Sequence, residues 1–176
     1  MLAEAAKDVG VAVMSTTHTY HFAALWPETE ALAEKGLIGL ACVSYIPFVA
    51  PAGGNQPLFG TNPIAFAWPR PGRSPVVVDM ATASLALGEV QIAACEDHPV
   101  PLGTGLDADG RLTSDPKEIL KGMLLPFGGY KGSAIALMVE LVAAGARESD
   151  SASKVPRRTT KTADPTRRRV HAGHFS

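Results

Sequence analysis

The sequence predicts an α/β fold. Three observations carry it: short apolar runs of strand length at residues 11–14, 37–43, 64–68 and 76–78, helix-compatible stretches with start and stop signals among them, and clusters of Gly, Pro and Asn where the chain must turn. Strands that alternate with helices argue for one α/β architecture. A chain of 176 residues, 46% hydrophobic and 19% charged, is long enough for one domain with a core.

Taken in order, residues 1–9 read as the end of a helix, with Leu2, Ala5 and Ala6 on one face and Gly10 as the stop. VAVM (11–14) reads as a short buried strand, and HTYHFAALW (18–26) follows at its C-terminal end. Pro27 opens PETEALAEK, with acids in the first turn, Lys35 in the last and Gly36 beyond, which is a capped helix. LIGLACV (37–43) is continuously apolar and predicts a strand buried on both faces. PAGGNQPLFGTNP (51–63) predicts a structured loop. IAFAW (64–68) and VVV (76–78) predict strands joined by the turn PRPGRSP. Residues 81–94 are mostly helix-compatible, with Gly88 as an interruption. DADGRLTSDPKEIL predicts a tight turn at Asp109-Gly110, then a helix with Asp115 at N-cap, Pro116 at N1 and Glu118 at N3. FGGYKG (127–132) is a glycine-rich loop, and residues 133–144 form an apolar helix.

Composition narrows the function classes. No apolar run reaches the roughly 18 residues that span a bilayer, and the N-terminus lacks the order of a secretory signal. Cys42 and Cys95 sit in apolar surroundings and read as reduced core residues of a cytoplasmic protein. No CxxC or Cys/His cluster suggests zinc. The net charge of −1 divides unevenly, with −6 over residues 1–146 and +5 over residues 147–176. The tail has few large apolar residues and predicts disorder. It also lacks the aromatic interleaving of a nucleic-acid binder.

Four stretches are candidate sites. His18 and His21 stand three residues apart, and three readings stay open: metal ligands (with no third ligand in view), imidazoles satisfied inside a core, or a catalytic or cofactor-lining pair after a strand. Asp107 begins a calcium-loop pattern, but the Gly such a loop needs at position six is Leu112, so a plain turn is favoured. FGGYKGS suits a phosphate through backbone N–H groups at a helix start plus Lys131, or is a simple helix-entry turn. Asp79 ends a strand, either as a helix cap or as a polar contact to a ribose or substrate.

HFAALW, GLIGL, VAPAGG, LFGTNPIAFAWP, VVVDMATAS, GLDADGRLTSDP and LLPFGGYKG occur in an order and spacing that resembles the type-2 malate/L-lactate dehydrogenase family over residues 2–145. Within it, HTYHFAALW, FGTNPIAFA and GEVQIAA look most like the Δ1-piperideine-2-carboxylate/Δ1-pyrroline-2-carboxylate reductases. The resemblance implies a mixed-sheet, non-Rossmann NAD(P)-binding fold, which accounts for the missing GxGxxG. It implies NADPH as cofactor, with NADH as the alternative, and reduction of a cyclic imine carboxylate to pipecolate or proline. Alternatives are dehydrogenation of a 2-hydroxy acid of the malate/lactate type, or a non-catalytic remnant. It further implies a cytoplasmic homodimer, with no metal and no membrane.

By that resemblance His18, Thr19, Tyr20, His21 and Phe22 line the cofactor, and His21 matches a histidine that acts on a proton in some dehydrogenase members. Asp79, Met80 and Ala81 match a cofactor contact, and Lys131 matches the lysine, or the position beside it, of the family's GGxKG cofactor loop. Glu89 falls where the reductases carry a charge-relay aspartate and other members a lysine. The chemistry is coherent: hydride transfer needs a ring held against the imine carbon with water kept out, and the imine nitrogen needs a proton from a group such as histidine. The family's Asn-Ser after GLIGL is Ser44-Tyr45 here. No counterpart of its Ser-His pair, substrate-binding arginine or later cofactor contacts is matched. The expectation is therefore a truncated or frameshifted chain: a partial oxidoreductase domain over residues 1–146, negligibly active alone, and a basic tail over residues 147–176.

Overall fold

A computed structural model describes residues 1–16 and 24–148. The chain opens with helix α1 (Leu2–Val9), ended by Gly10 in the left-handed conformation, whose N–H donates to Ala6 O at 2.8 Å. This is the predicted helix and stop, although none of its residues is buried. Residues 11–14 differ from expectation. They form no strand, and Val13 is 83% exposed. An apolar run becomes a buried strand only where another surface covers it, and no described element covers this one.

Helix α2 (Trp26–Ala33) has Pro27 in its first turn. It lies across a three-stranded antiparallel sheet of β1 (Gly39–Cys42), β2 (Ile64–Arg70) and β3 (Arg73–Met80), in the order β1-β2-β3. The close fit is set by small residues. Ala65 and Ala67 are wholly buried, and a Cβ on Gly39 would sit 2.6 Å from Thr29 O in α2. The strand expected over residues 37–43 is shorter, and it is not buried on both faces: Leu40 is 64% exposed. The reason is its place at a sheet edge with a helix on one side only. Its register pairs Leu40 with Phe66, and Phe66 pairs with Val78, so Leu40, Phe66, Trp68, Val76, Val78 and Met80 share the opposite face. The predicted hairpin is present but longer than expected, turning at Pro71-Gly72.

Helix α3 (Leu87–Cys95) begins six residues later than the helix-compatible stretch, because residues 81–86 carry the chain through a non-helical turn. Gly88 lies inside the helix without breaking it. Cys95, expected in the core, is exposed at the helix end, and Cys42 is half-buried. A second antiparallel sheet has the order β5-β4-β6, from β4 (Gly105–Leu106), β5 (Leu112–Thr113) and β6 (Met123–Leu124). The β4–β5 turn is the predicted one: Asp107 Oδ1 accepts from Asp109 N and Arg111 N, both at 2.9 Å, so the carboxylate serves the turn. Helix α4 (Pro116–Lys121) starts as predicted, with Asp115 Oδ1 accepting from Lys117 N at 2.8 Å. Glu118 pairs with Lys121 instead of closing a capping box.

The main core gathers Val49, Phe59, Ala83, Val90, Ala93, Val100, Ile119, Leu124 and Ala136. It joins the loop after β1, α3, α4, β6 and α5 (Tyr130–Glu148). Fully burying a Val, Ile or Leu side chain contributes about 1.5–3 kcal/mol, so Val49, Val90, Ile119 and Leu124 dominate this side of the molecule. All named strand pairs are antiparallel, and among the described residues one parallel bridge joins Val49 to Leu124. Among the described residues no helix is long and apolar enough to cross a membrane. The expected tail beyond Glu148 lies outside the described residues.

Candidate functional site

The end of β3 is the point where distant stretches meet. Asp79 sits opposite Ala65 in the register, and its Oδ2 accepts from Leu25 N at 2.8 Å and Trp26 N at 2.9 Å. Three residues further on, Thr82 donates through N and Oγ1 to Thr61 O, at 2.8 and 3.0 Å. Thr82 O in turn accepts from Phe127 N at 3.1 Å, Ser84 N donates to Leu125 O at 2.8 Å, and Ala83 bridges Pro126. The start of α2, the TNP loop, the DMATAS stretch and the glycine-rich turn into α5 are thus bonded into one region. The sequence named two of these stretches as cofactor contacts, and hydrogen bonds bring them together.

The glycine-rich turn shows why those residue types stand there. Gly128 and Gly129 have φ values of +54° and +63°, in the left-handed region that favours glycine. A Cβ on Gly132 would lie 2.2 Å from Phe127 O, the atom that accepts from Gly132 N at 3.1 Å. The turn delivers backbone N–H groups and the exposed Lys131 to the N-terminus of a 19-residue helix, an arrangement suited to an anion. Ser133 Oγ accepts from Ala52 N at 2.7 Å and anchors the turn to the VAPAGG loop.

The other predicted site residues are placed as follows. Met80 is exposed and Ala81 packs against the main core. Glu89 is exposed in the first turn of α3, where its Oε2 accepts from Ala86 N at 3.2 Å. That bond is half of a capping box, a structural use the sequence reading did not weigh for this residue. His18, Thr19, Tyr20, His21 and Phe22 lie outside the described residues. Asp79 does cap a helix, but it is α2, across the sheet, and not the next helix along the chain as expected.

Two clefts lie elsewhere. One of about 420 Å³ is lined by Ser44, Tyr45, Ile46, Pro47, Leu58 and Glu140, and so includes the pair at the family's Asn-Ser position. Another of about 300 Å³ lies beside the Asp97–Lys117 ion pair. That contact holds the exposed Asp97 carboxyl below its usual range and raises the Lys117 ammonium. Sequence reasoning missed Asn62 and Glu140. Asn62 is fully buried at φ +40°, and its side chain joins the loop after β1 to α5. The available signals were an Asn-Pro dipeptide and a lone acid in an apolar helix.

This fold, with a short antiparallel sheet under a helix and a strand end bonded to a glycine-rich helix entry, is shared with solved structures of the malate/lactate dehydrogenase type. It is similar to the crystal structure of Δ1-piperideine-2-carboxylate reductase from Pseudomonas syringae, with TM-score 0.78 and 53% identity over 81% of this chain and 43% of that one. It is also similar to sulfolactate dehydrogenase from Methanocaldococcus jannaschii, with TM-score 0.73 and 38% identity over 81% of this chain and 41% of that one. The family model for malate/L-lactate dehydrogenase matches residues 1–176, and the chain belongs to that family. A Δ1-pyrroline-2-carboxylate reductase from Pseudomonas fluorescens is 51% identical over 143 residues, which is 81% of this chain and 43% of the relative. The chain thus spans less than half the length of these relatives.

Proposed function

We propose that this chain supplies part of the cofactor site of an NADPH-dependent reductase of cyclic imine carboxylates, Δ1-piperideine-2-carboxylate or Δ1-pyrroline-2-carboxylate. The observation that carries it is the bonding of the β3 end to the glycine-rich turn through Thr82 O and Phe127 N. The donor set fits a dinucleotide phosphate: left-handed glycines, a helix N-terminus and Lys131. When bound, NADPH supplies the hydride. Lys131 and the N-terminal end of α5 would hold its phosphate, Asp79, Met80 and Ala81 would lie beside it, and His18, Thr19, Tyr20, His21 and Phe22 would supply further cofactor contacts, as the family resemblance implies. His21 would give a proton to the imine nitrogen as the hydride reaches the carbon, and Glu89 would carry the relay charge. Relatives at about half identity named for this activity support the substrate class over a malate or lactate. The same reading takes the protein as cytoplasmic and paired with a second copy.

The test is a fluorescence titration of the 176-residue protein with NADPH and NADH, followed by NADPH oxidation with each cyclic imine and with 2-oxo acids. Saturable NADPH binding that is weakened in Lys131→Ala supports the reading. Absence of binding, or turnover of 2-oxo acids in place of imines, overturns it.

A further inference from the structure

We propose that Ser133 is a positioning residue, the side chain that sets where the glycine-rich turn and Lys131 stand against the VAPAGG loop. This rests on the cofactor reading above and names a residue that reading does not use. The turn over residues 127–133 is held at both ends. At its entry, Phe127 N donates to Thr82 O at 3.1 Å, and Ala83 bridges Pro126. Those are main-chain contacts, open to almost any side chain. At its exit, Ser133 Oγ accepts from Ala52 N at 2.7 Å, across 81 positions. Among the described residues this is the one side-chain hydrogen bond that residues 127–133 make, so this tether alone depends on residue identity. The loop it reaches is fixed. Val49 and Ala50 are wholly buried, Ala50 N donates to Leu124 O at 3.0 Å, and Gly54 N closes a turn around Ala52 by donating to Pro51 O at 2.9 Å. Between the two tethers the chain runs through Gly128 and Gly129 at positive φ, with Lys131 exposed two positions before Ser133. Ser133 N donates to Gly129 O at 3.1 Å, so the residue that carries the tether also closes the first turn of α5 onto those glycines. Glycine has the widest backbone freedom of any residue, so without a fixed exit the turn would point its amides and Lys131 in many directions. A phosphate that needs several donors at once binds more weakly when they must be ordered on binding. Ser133 thus acts through the turn it holds.

The experiment compares wild type, Ser133→Ala and Asp115→Ala in the full 176-residue chain. Asp115→Ala removes the cap of α4, which bonds to neither the turn nor the VAPAGG loop, and so controls for lost stability alone. Amide exchange of Ala52 and the amide resonances of Gly128, Gly129 and Lys131 are read by NMR, and NADPH affinity by fluorescence, at a temperature where all three proteins are folded. Ser133→Ala is expected to speed exchange of the Ala52 amide about 2–10-fold, the range of one lost hydrogen bond, to move the three turn resonances, and to weaken NADPH binding by a similar factor. Asp115→Ala is expected to leave all of these as in wild type. Four results overturn the proposal: Ala52 exchange unchanged in Ser133→Ala, turn resonances unmoved in it, NADPH bound by it as tightly as by wild type, or affinity lowered equally by Asp115→Ala. If the wild type binds no NADPH, the cofactor reading fails, and the exchange and resonance comparisons still decide whether Ser133 sets the turn.

Discussion

Asn62 Nδ2 donates to Glu140 Oε1 at 3.0 Å, across 78 positions, and so ties the loop before β2 to the middle of α5. The same amide group donates to Ala136 O at 3.3 Å, while Asn62 Oδ1 accepts from Tyr45 N at 3.1 Å. One buried side chain thus holds three segments. Asn62→Ala is expected to destabilise the protein by about 2–4 kcal/mol, from the loss of three hydrogen bonds of a buried side chain and an alanine at positive φ. Urea denaturation checks it; a change below about 1 kcal/mol, the net value of an ordinary hydrogen bond, would contradict the hub role.

Asn62→Asp should be worse at high pH than at low. It would set a second carboxylate against Glu140, so one of the two would keep its proton in the folded state at a pH where the unfolded chain has lost it. The folded state then binds more protons, and stability falls as pH rises. The urea midpoint of this variant, measured at pH 5 and pH 8, should drop relative to wild type; a flat or rising difference would show that the pair is solvent-screened.

Gly132 and Gly145 offer a matched comparison within α5. A Cβ at Gly132 meets Phe127 O at 2.2 Å, whereas Gly145 has open space around it. Gly132→Ala should cost about 1–3 kcal/mol by overpacking against backbone and weaken NADPH binding with it. Gly145→Ala should be neutral or stabilise by up to about 1 kcal/mol through helix propensity. Thermal melts of the two variants decide this, and equal melting temperatures would refute the account of the turn.

The cysteines should differ in reactivity. Burial pushes the Cys42 thiol up, which lowers its thiolate fraction at a given pH, while Cys95 is exposed. A thiol-reactive disulfide reagent at pH 7.5 is expected to give a fast phase that Cys95→Ser removes and Cys42→Ser does not. A fast phase that survives Cys95→Ser would place Cys42 at the surface.

The sheet face opposite α2 should drive association. Leu40, Phe66, Trp68, Val76, Val78 and Met80 make a continuous apolar surface, with the Phe66 and Trp68 rings 6.4 Å apart. Sedimentation should show self-association at micromolar protein that Trp68→Lys with Val78→Lys reduces. A monomer at all concentrations would indicate that this face is sufficiently hydrated on its own.

Much of the local structure was legible from sequence because its causes are local. Gly10 and Gly36 stop helices by left-handed backbone, Asp115-Pro116 starts one, Asp107 closes a turn onto its own amides, and FGGYKG bends where glycine alone is unstrained. The family was legible too, since long motifs in a fixed order survive independently of how the chain packs. What an apolar run would bury against was not legible. Residues 11–14 and 37–43 have the same composition as core strands, yet the first is exposed and the second is an edge, because burial belongs to the surface that meets a strand. Asp79 makes the same point at the candidate site. Its neighbours in sequence allow a cap or a ligand contact, and only the antiparallel register of β2 and β3, with α2 laid across it, puts the amides of Leu25 and Trp26 within hydrogen-bond reach of its carboxylate.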